Sequence, residues 1–259
     1  MLKKINNKVR DGDTIAVWFS CGAASAVAAK KTIEMFGDRC KIRILNNPIK
    51  EEHHDNKRFL RDVERWLEVE IESVTTENFP SASINDVFRE KKAMSFVHGA
   101  PCTLNLKKLA RTQWEMSNNF DWFVLGFTSE EHHRHTSFIE SSMRFDLLPV
   151  LIANDLNKAD CFNIILDADI KLPEMYKLGY PNANCIGCVK ASSPTYWNHV
   201  RRLHPEVFKD RASLSRELGC KLVKVKGVRI FLDELDPNLT TRSMKNQAAI
   251  ECGIFCEKD

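Results

Sequence analysis

The sequence has no long apolar run, no secretion signal and little net charge. No window of its 259 residues approaches the run of about 18 to 20 apolar residues that a membrane span needs. The first 13 residues carry charge but lack the apolar segment of a signal peptide. These absences predict a cytoplasmic, unprocessed protein with no membrane partner.

The charge balance excludes a broadly basic protein. The chain has 38 lysines and arginines against 35 aspartates and glutamates, a formal net charge of +3. Any anion-binding site must therefore be local. The sequence also lacks internal repeats and low-complexity segments, which excludes solenoids and linker arrays. With 43% hydrophobic residues, the chain can bury one sizeable core, alone or with a small subdomain.

Cysteine is the most informative residue type that is present. Nine cysteines are an odd number, and no secretion signal accompanies them. They are better explained as reduced thiols, metal ligands or catalytic groups than as a disulfide framework.

Apolar runs alternate with helical patterns over the first 170 residues. The run TIAVWFS (14–20) breaks at Cys21-Gly22, and an alanine-rich segment with helical spacing follows (23–35). Further strands are predicted at 41–45, 69–74 and 122–125, and further helices at 51–67 and 102–116. This alternation predicts an α/β fold, with a mainly parallel sheet and helices on both faces.

The composition changes near residue 170. Proline, glycine and asparagine become frequent, and a C-x-x-C, a tryptophan-containing helix and short basic strands follow. We therefore predict a sheet domain over 1–170 and a small C-terminal extension over 171–259.

The segment from Ser20 to Ser25 lies where ligands of parallel sheets bind, at the carboxyl end of a strand and before a helix. Gly22 permits a close backbone approach, Ser20 and Ser25 supply hydroxyl groups, and Ala23 and Ala24 leave room for phosphate or sulfate. An ordinary strand–helix turn has the same composition, so both interpretations stay open at this point.

The segment WFSCGAASAVAAK resembles the PP-loop of adenine nucleotide α-hydrolase-like enzymes, whose usual form is S-G-G-x-D-S. Cys21 and Ala24 replace the glycine and the aspartate. The loop follows the S-F-G-x-Q-A-A-V form of PAPS reductases more closely. This resemblance implies a Rossmann-like PP-loop fold that binds a ready-made sulfonucleotide (PAPS or APS) rather than one that splits ATP.

Two further segments resemble nucleotide-contacting parts of this family. Asn46-Asn47-Pro48 with Glu52 is similar to N-T-G-x-x-H/F-x-E-T, and Gly126-Phe127-Thr128 with Glu131 and Arg134 is similar to G-x-R-x-x-E-x-x-R, although Thr128 replaces an arginine. Together with the loop, the resemblance implies adenine nucleotide contacts at Ser20, Gly22, Ser25, Asn46, Glu52, Gly126, Glu131 and Arg134.

Cys185 and Cys188 form the C-x-x-C, a spacing that lets two thiolates reach one metal ion or cluster. Two buried small hydrophobes would have the same pattern. The segment PCTLNLKK, which contains Cys102, resembles the C-C-x-x-R-K of cluster-bearing APS reductases, with Thr103 in place of the second cysteine. The resemblance implies a four-iron four-sulfur cluster on Cys102, Cys185 and Cys188, with Cys256 or an exchangeable fourth ligand, and zinc is the competing occupant.

The C-terminal segment IECGIFC resembles the E-C-G-L/I-H that ends sulfonucleotide reductases. Cys252 matches their nucleophilic cysteine, Phe255 replaces the histidine, and Cys256 is additional. An incidental pair of thiols at a frayed terminus is the alternative. The cluster of histidines at 132–135 could suggest a metal site, but hydrogen bonding at a strand end is the better explanation.

The resemblance implies a sulfonucleotide reductase-like oxidoreductase of sulfur metabolism, with a thioredoxin-like reductant as a possible partner and a homo-oligomer as a possible state. The first alternative is a PP-loop ATP pyrophosphatase or iron–sulfur sulfurtransferase that modifies nucleic acid. The second alternative is a nucleotide-binding module without turnover, which the departures at Thr103, Thr128 and Phe255 keep open.

Overall fold

The computed structural model describes residues 2–95, 99–142, 146–241 and 244. Its α-helices are α1 (Leu2–Lys8), α2 (Ala23–Phe36), α3 (Asn56–Leu67), α4 (Ile84–Lys91), α5 (Leu109–Ser117), α6 (His132–Ser142), α7 (Val150–Ala153), α8 (Lys158–Asp167), α9 (Glu174–Lys177), α10 (Pro194–Leu203) and α11 (Pro205–Glu217). A π-helical segment, Thr103–Lys108, leads directly into α5, and short 3₁₀ turns span Ser129–Glu131 and Leu232–Glu234.

The strands are β1 (Thr14–Phe19), β2 (Lys41–Asn46), β3 (Ile71–Ser73), β4 (Trp122–Val124), β5 (Leu147–Leu148), β6 (Val223–Val225) and β7 (Val228–Ile230). The first five form one all-parallel sheet in the order β3-β2-β1-β4-β5. The last five residues of β1 are all buried, as expected for a strand covered on both faces. The fold is therefore α/β with a parallel central sheet, as the sequence predicts.

The strand–loop–helix unit at the start of this sheet is confirmed. β1 ends at Phe19, and α2 begins at Ala23. The helix predicted over 51–67 begins only at Asn56, after Asp55 at its N-cap. The helix predicted over 102–116 is confirmed in position, but its first part is π-helical.

The contacts divide the chain into two compact units. The first comprises 1–48, 54–74 and 112–173 and contains the parallel sheet. The second comprises 49–53, 75–111 and 174–259, so two earlier stretches of chain belong with the C-terminal residues. Its apolar core is rich in aromatic residues and includes Phe88, Tyr196 and Trp197. Among the described residues, no helix combines the length and the hydrophobicity that a membrane span requires.

Candidate functional site

The loop after β1 has a conformation fixed by Ser25. The Ser25 hydroxyl accepts a hydrogen bond from the Ser20 backbone N–H (3.0 Å) and donates one to the Gly22 carbonyl (2.9 Å). Between them, Cys21 is buried and has a left-handed backbone (φ 55°). Ser25 therefore fixes the conformation of the loop through its hydrogen bonds. Ser20, in contrast, is exposed to solvent.

The helix that follows this loop has an electropositive start. Gly22 is its N-cap in an extended conformation, with no side-chain cap, and the first turn contains no acidic residue. The N–H groups of a helix start attract anions, and α2 is 14 residues long. The first turn is built from small side chains, Ala23, Ala24 and Ser25.

The order of the strands places this loop at the switch point of the sheet. The chain runs outward from β1 through β2 to β3 and then continues at β4, on the other side of β1. In open parallel sheets, ligands bind at the carboxyl ends of the two strands that flank such a reversal. These strands are β1, which leads into Ser20–Gly22, and β4, which leads toward Gly126.

Gly126 lies against the start of α2. A Cβ atom added at Gly126 would lie 2.8 Å from Ser25 N, 2.9 Å from Ser25 Cα and 3.0 Å from the Ala24 carbonyl carbon. These are backbone atoms, so no rotamer change can relieve the overlap. Only glycine fits here, and the two strand ends at the switch point therefore meet closely.

Asn46 connects the end of β2 to the same loop. Its buried side-chain amide donates to the Phe19 carbonyl (2.9 Å) and to Cys21 Sγ (3.5 Å). The neighbouring Asn47 amide donates to the Val74 carbonyl (2.7 Å). Asn46 thus supports the loop from within the unit. Glu52, predicted to act with it, belongs to the second unit and is half-buried.

Glu131 and Arg134 are paired with each other. The Glu131 carboxylate accepts hydrogen bonds from the Thr128 N–H (3.2 Å) and hydroxyl (3.3 Å) and forms an ion pair with Arg134. The Arg134 guanidinium also lies over the Phe127 ring, 5.0 Å from its centroid. Thr128 therefore caps the 3₁₀ turn and anchors Glu131.

Lys158 is a further cation near Glu130 and Glu131, and no sequence pattern predicts its position. Burial lowers the pKa of this lysine, and the negative charges of Glu131 and Glu130 raise it, so the ammonium group lies among the acidic residues after β4. Its backbone N–H donates to Glu130 Oε2 (3.2 Å). In sequence it is an ordinary lysine at a helix start, so no local signal marks it.

His135, in the histidine cluster, is kept neutral by its surroundings. Burial, and secondarily the nearby His132, lowers the pKa of His135 to about 4. Its Nε2 atom is buried and has no hydrogen-bond partner among the described residues. A neutral imidazole packed at 6.5 Å from the Phe127 ring supports this segment by packing.

The second unit contains Cys185 and Cys188 in a buried loop. Cys188 N donates to the Tyr196 hydroxyl oxygen (2.8 Å), and Ile186 N donates to the Glu51 carbonyl (3.1 Å). Both cysteine side chains belong to the core of this unit, and Cys102, directly before the π-helical segment, packs against that core. The fold thus brings the three predicted ligands into one region although 83 positions separate the first two (185 − 102).

Arg211, on α11, is a buried cation beside these thiols. It is 3% exposed, its Nη1 donates to Asn85 Oδ1 (2.7 Å), and its Nε has no hydrogen-bond partner in the described part of the chain. Burial lowers the pKa of Arg211, whereas the negative charges of Glu51, Cys185, Cys102 and Cys188 raise it. The Nε atom would lie 3.8 Å from a Cβ added at Gly187, so it faces the C-x-x-C loop.

The carboxylate that acts most strongly on Arg211, that of Glu51, is already engaged in other hydrogen bonds. Glu51 accepts hydrogen bonds from the Ser83 hydroxyl (2.7 Å) and the Ile84 N–H (2.9 Å) at the start of α4. Arg211 forms no ion pair with any carboxylate of the described residues. A buried guanidinium of this kind carries a desolvation cost that an anion would offset.

The three thiols share one neighbourhood but not a ligand geometry. Within 2–95, 99–142, 146–241 and 244, no three His, Cys, Asp or Glu side chains are grouped as metal ligands are. The three thiols are soft ligands, and the buried Arg211 cation lies beside them. These two features, and not the ligand geometry, fit an anionic metal–thiolate group. Cys252 and Cys256 lie outside the described residues.

A scan against known protein families finds no family that matches the chain, and a search of curated proteins finds no significant match.

Proposed function

We propose that this protein is a PP-loop enzyme that binds an adenine sulfonucleotide, APS or PAPS, and uses cysteine chemistry on it, in the manner of the sulfonucleotide reductases. The observation that carries the proposal is the loop after β1, which lies at the switch point of an all-parallel sheet and leads into an uncapped helix start. Ala24 in place of the family's aspartate favours binding an anionic nucleotide over splitting ATP.

In the proposed reaction, the Cys252 thiolate attacks the sulfur of the sulfonucleotide. A sulfur–sulfur bond forms, the bond from sulfur to the phosphate oxygen breaks, and the nucleotide leaves with that oxygen, so that Cys252 carries an S-sulfonate. A second thiolate, from a thioredoxin-like dithiol or from Cys256, then attacks Cys252 Sγ and expels sulfite. The two electrons that reduce sulfate to sulfite come from two thiols, which end as a disulfide.

The covalent intermediate provides the first test. After incubation of reductant-free protein with APS or PAPS, mass spectrometry of peptides should find the S-sulfonate on Cys252 and no adduct in the Cys252→Ser variant. Cys40→Ser, which removes a half-buried thiol in the first unit, should leave the adduct unchanged. An adduct that persists in Cys252→Ser, or no adduct although nucleotide binds, would contradict this reaction.

A metal–thiolate centre is the second part of the proposal. Cys102, Cys185 and Cys188 would hold a four-iron four-sulfur cluster, with Cys256 or an exchangeable ligand as the fourth, and zinc is the competing occupant. When bound, a cluster supplies electron transfer or an open iron for sulfide. The buried Nε of Arg211, which makes no hydrogen bond among the described residues, supports an anionic occupant, since three thiolates with one divalent cation carry a net charge of −1.

Arg211→Met should have opposite effects on metal binding and on the stability of the metal-free protein. Removing the counter-charge should lower affinity for the metal about tenfold or more, as loss of groups around metal ligands commonly does. Metal-free protein should gain about 1 kcal/mol or more of unfolding free energy, because an apolar side chain replaces a buried cation without an ion pair. Iron, sulfide and zinc analysis after anaerobic purification, with denaturant unfolding of chelated protein, measures both.

The control is Arg216→Met on the same helix. The Arg216 guanidinium is partly exposed and pairs with Asp233 and Glu234, so its loss should not alter metal content. Unchanged metal content in Arg211→Met together with lower stability would contradict the assignment of Arg211. Wild-type protein that holds neither iron nor zinc would contradict the metal centre.

A further inference from the structure

Strands β6 and β7 form an antiparallel ribbon with two different faces. Val223 pairs with Ile230 and Val225 with Val228, so these side chains share one face, which begins in the core at the buried Val223. Lys224 pairs with Arg229 on the other face, and both side chains are exposed. This apolar face is buried at Val223 and becomes exposed toward the tip, where Val228 is 65% exposed, and the other face presents two cations to solvent.

The Lys224–Arg229 pair is unfavourable for the hairpin itself. Residues directly opposite in an antiparallel pair are close, and like charges there are destabilising. The Arg229 Nη1 donates to the carbonyls of Lys221 (3.4 Å) and Leu222 (3.3 Å), which are neutral acceptors. Neither cation of the pair forms an ion pair with a described carboxylate. Repulsion between them is therefore not relieved within the described part of the chain.

The turn of the ribbon contains a second unfavourable residue. Lys226 and Gly227 both have positive φ angles, 46° and 87°, as in the two-residue type I′ turn. Asn, Asp or Gly is preferred at the first position, and a left-handed conformation costs other residues about 1 to 2 kcal/mol. Lys226 thus places an exposed positive charge at the tip, where a neutral asparagine would suit the backbone better.

Both unfavourable features place exposed cations, Lys224, Lys226 and Arg229, on the same short ribbon. Residues 218–232 contain four basic residues and no acidic one. Several residues that are unfavourable for the local structure but share one property, here positive charge, are typical of a functional surface. Because the cations extend from the strand pair to the tip, a polymer of phosphates complements them better than a single anion.

We propose that this ribbon binds the phosphate backbone of a nucleic acid duplex. The backbone of a duplex carries negative charges at short, regular intervals, about one per 1.7 Å of helix axis. Phosphates on either side would neutralise the opposed Lys224 and Arg229 and the lysine at the tip. The inference depends on β6 and β7 alone, goes beyond the proposed sulfonucleotide activity, and names nucleic acid as a partner.

Salt-dependent binding of a fluorescent DNA duplex to the 259-residue protein tests the proposal. Wild type should bind with an affinity that falls steeply between about 50 and 200 mM salt. In Lys224→Gln/Arg229→Gln, the slope of log K against log salt should become shallower by about 2, because each cation that neutralises a phosphate contributes about 0.9 to the slope. Lys57→Gln, an exposed lysine of α3, is the control and should behave as wild type.

Lys226→Asn gives a readout that a merely structural role would not produce. This variant should melt at a higher temperature than wild type, because asparagine suits the turn, and yet bind the duplex more weakly. The proposal is overturned if no duplex binds at low salt, if the ribbon variants bind like Lys57→Gln, or if an acidic peptide binds and the duplex does not. Sulfonucleotide binding, measured on the same variants, should be unchanged, which keeps this outcome separate from the proposed enzyme function.

Discussion

Gly126→Ala is expected to destabilise the first unit by about 1 to 3 kcal/mol and to weaken nucleotide binding about tenfold or more. The added Cβ would lie 2.8 Å from Ser25 N, closer than side-chain carbons approach backbone atoms. Relief requires movement of the start of α2 or of the end of β4. Either movement displaces the N–H groups that are proposed to bind the sulfonucleotide.

Gly12→Ala is the matched control for this effect. Gly12 lies just before β1, at the opposite end of the strand, and a Cβ there meets no described atom within 4 Å. Its positive φ of 89° still makes alanine unfavourable by about 1 to 2 kcal/mol. Denaturant unfolding should therefore show comparable losses for both variants, whereas calorimetry should show weaker nucleotide binding only for Gly126→Ala. Equal nucleotide affinity in the two variants would contradict the placement of the site.

Much of the sheet could be predicted because its strands are apolar runs followed by clear breaks. The run that ends at Phe19, before Cys21-Gly22, is the best example. β5, only Leu147–Leu148, is too short for any periodicity to reveal. The contacts of 75–111 with the C-terminal residues depend on long-range packing, which composition near residue 170 does not encode.

The sequence predicts which residue positions form the site, but not the contacts among them. Gly126 could be named from a resemblance, but its backbone contact with Ser25 required the packed sheet. Glu131 and Arg134 are three residues apart at the start of a helix, a spacing that commonly pairs opposite charges, so their ion pair could have been anticipated. The burial of Arg211 could not have been anticipated, because its segment has the pattern of a solvent-exposed helix. The burial depends on residues far away in sequence.

Calorimetric titration of APS and PAPS into wild-type, Gly22→Asp and Gly22→Ser protein tests whether the loop after β1 binds the sulfonucleotide. Gly22 is the extended N-cap of α2, a position that favours aspartate and serine, so both variants should fold at least as stably as wild type. Aspartate places a negative charge where the sulfonucleotide anion is proposed to bind, and serine does not. We expect wild type to bind, Gly22→Ser to retain measurable binding and Gly22→Asp to lose it. Equal affinity in folded Gly22→Asp protein, or no binding by wild type, would contradict the account.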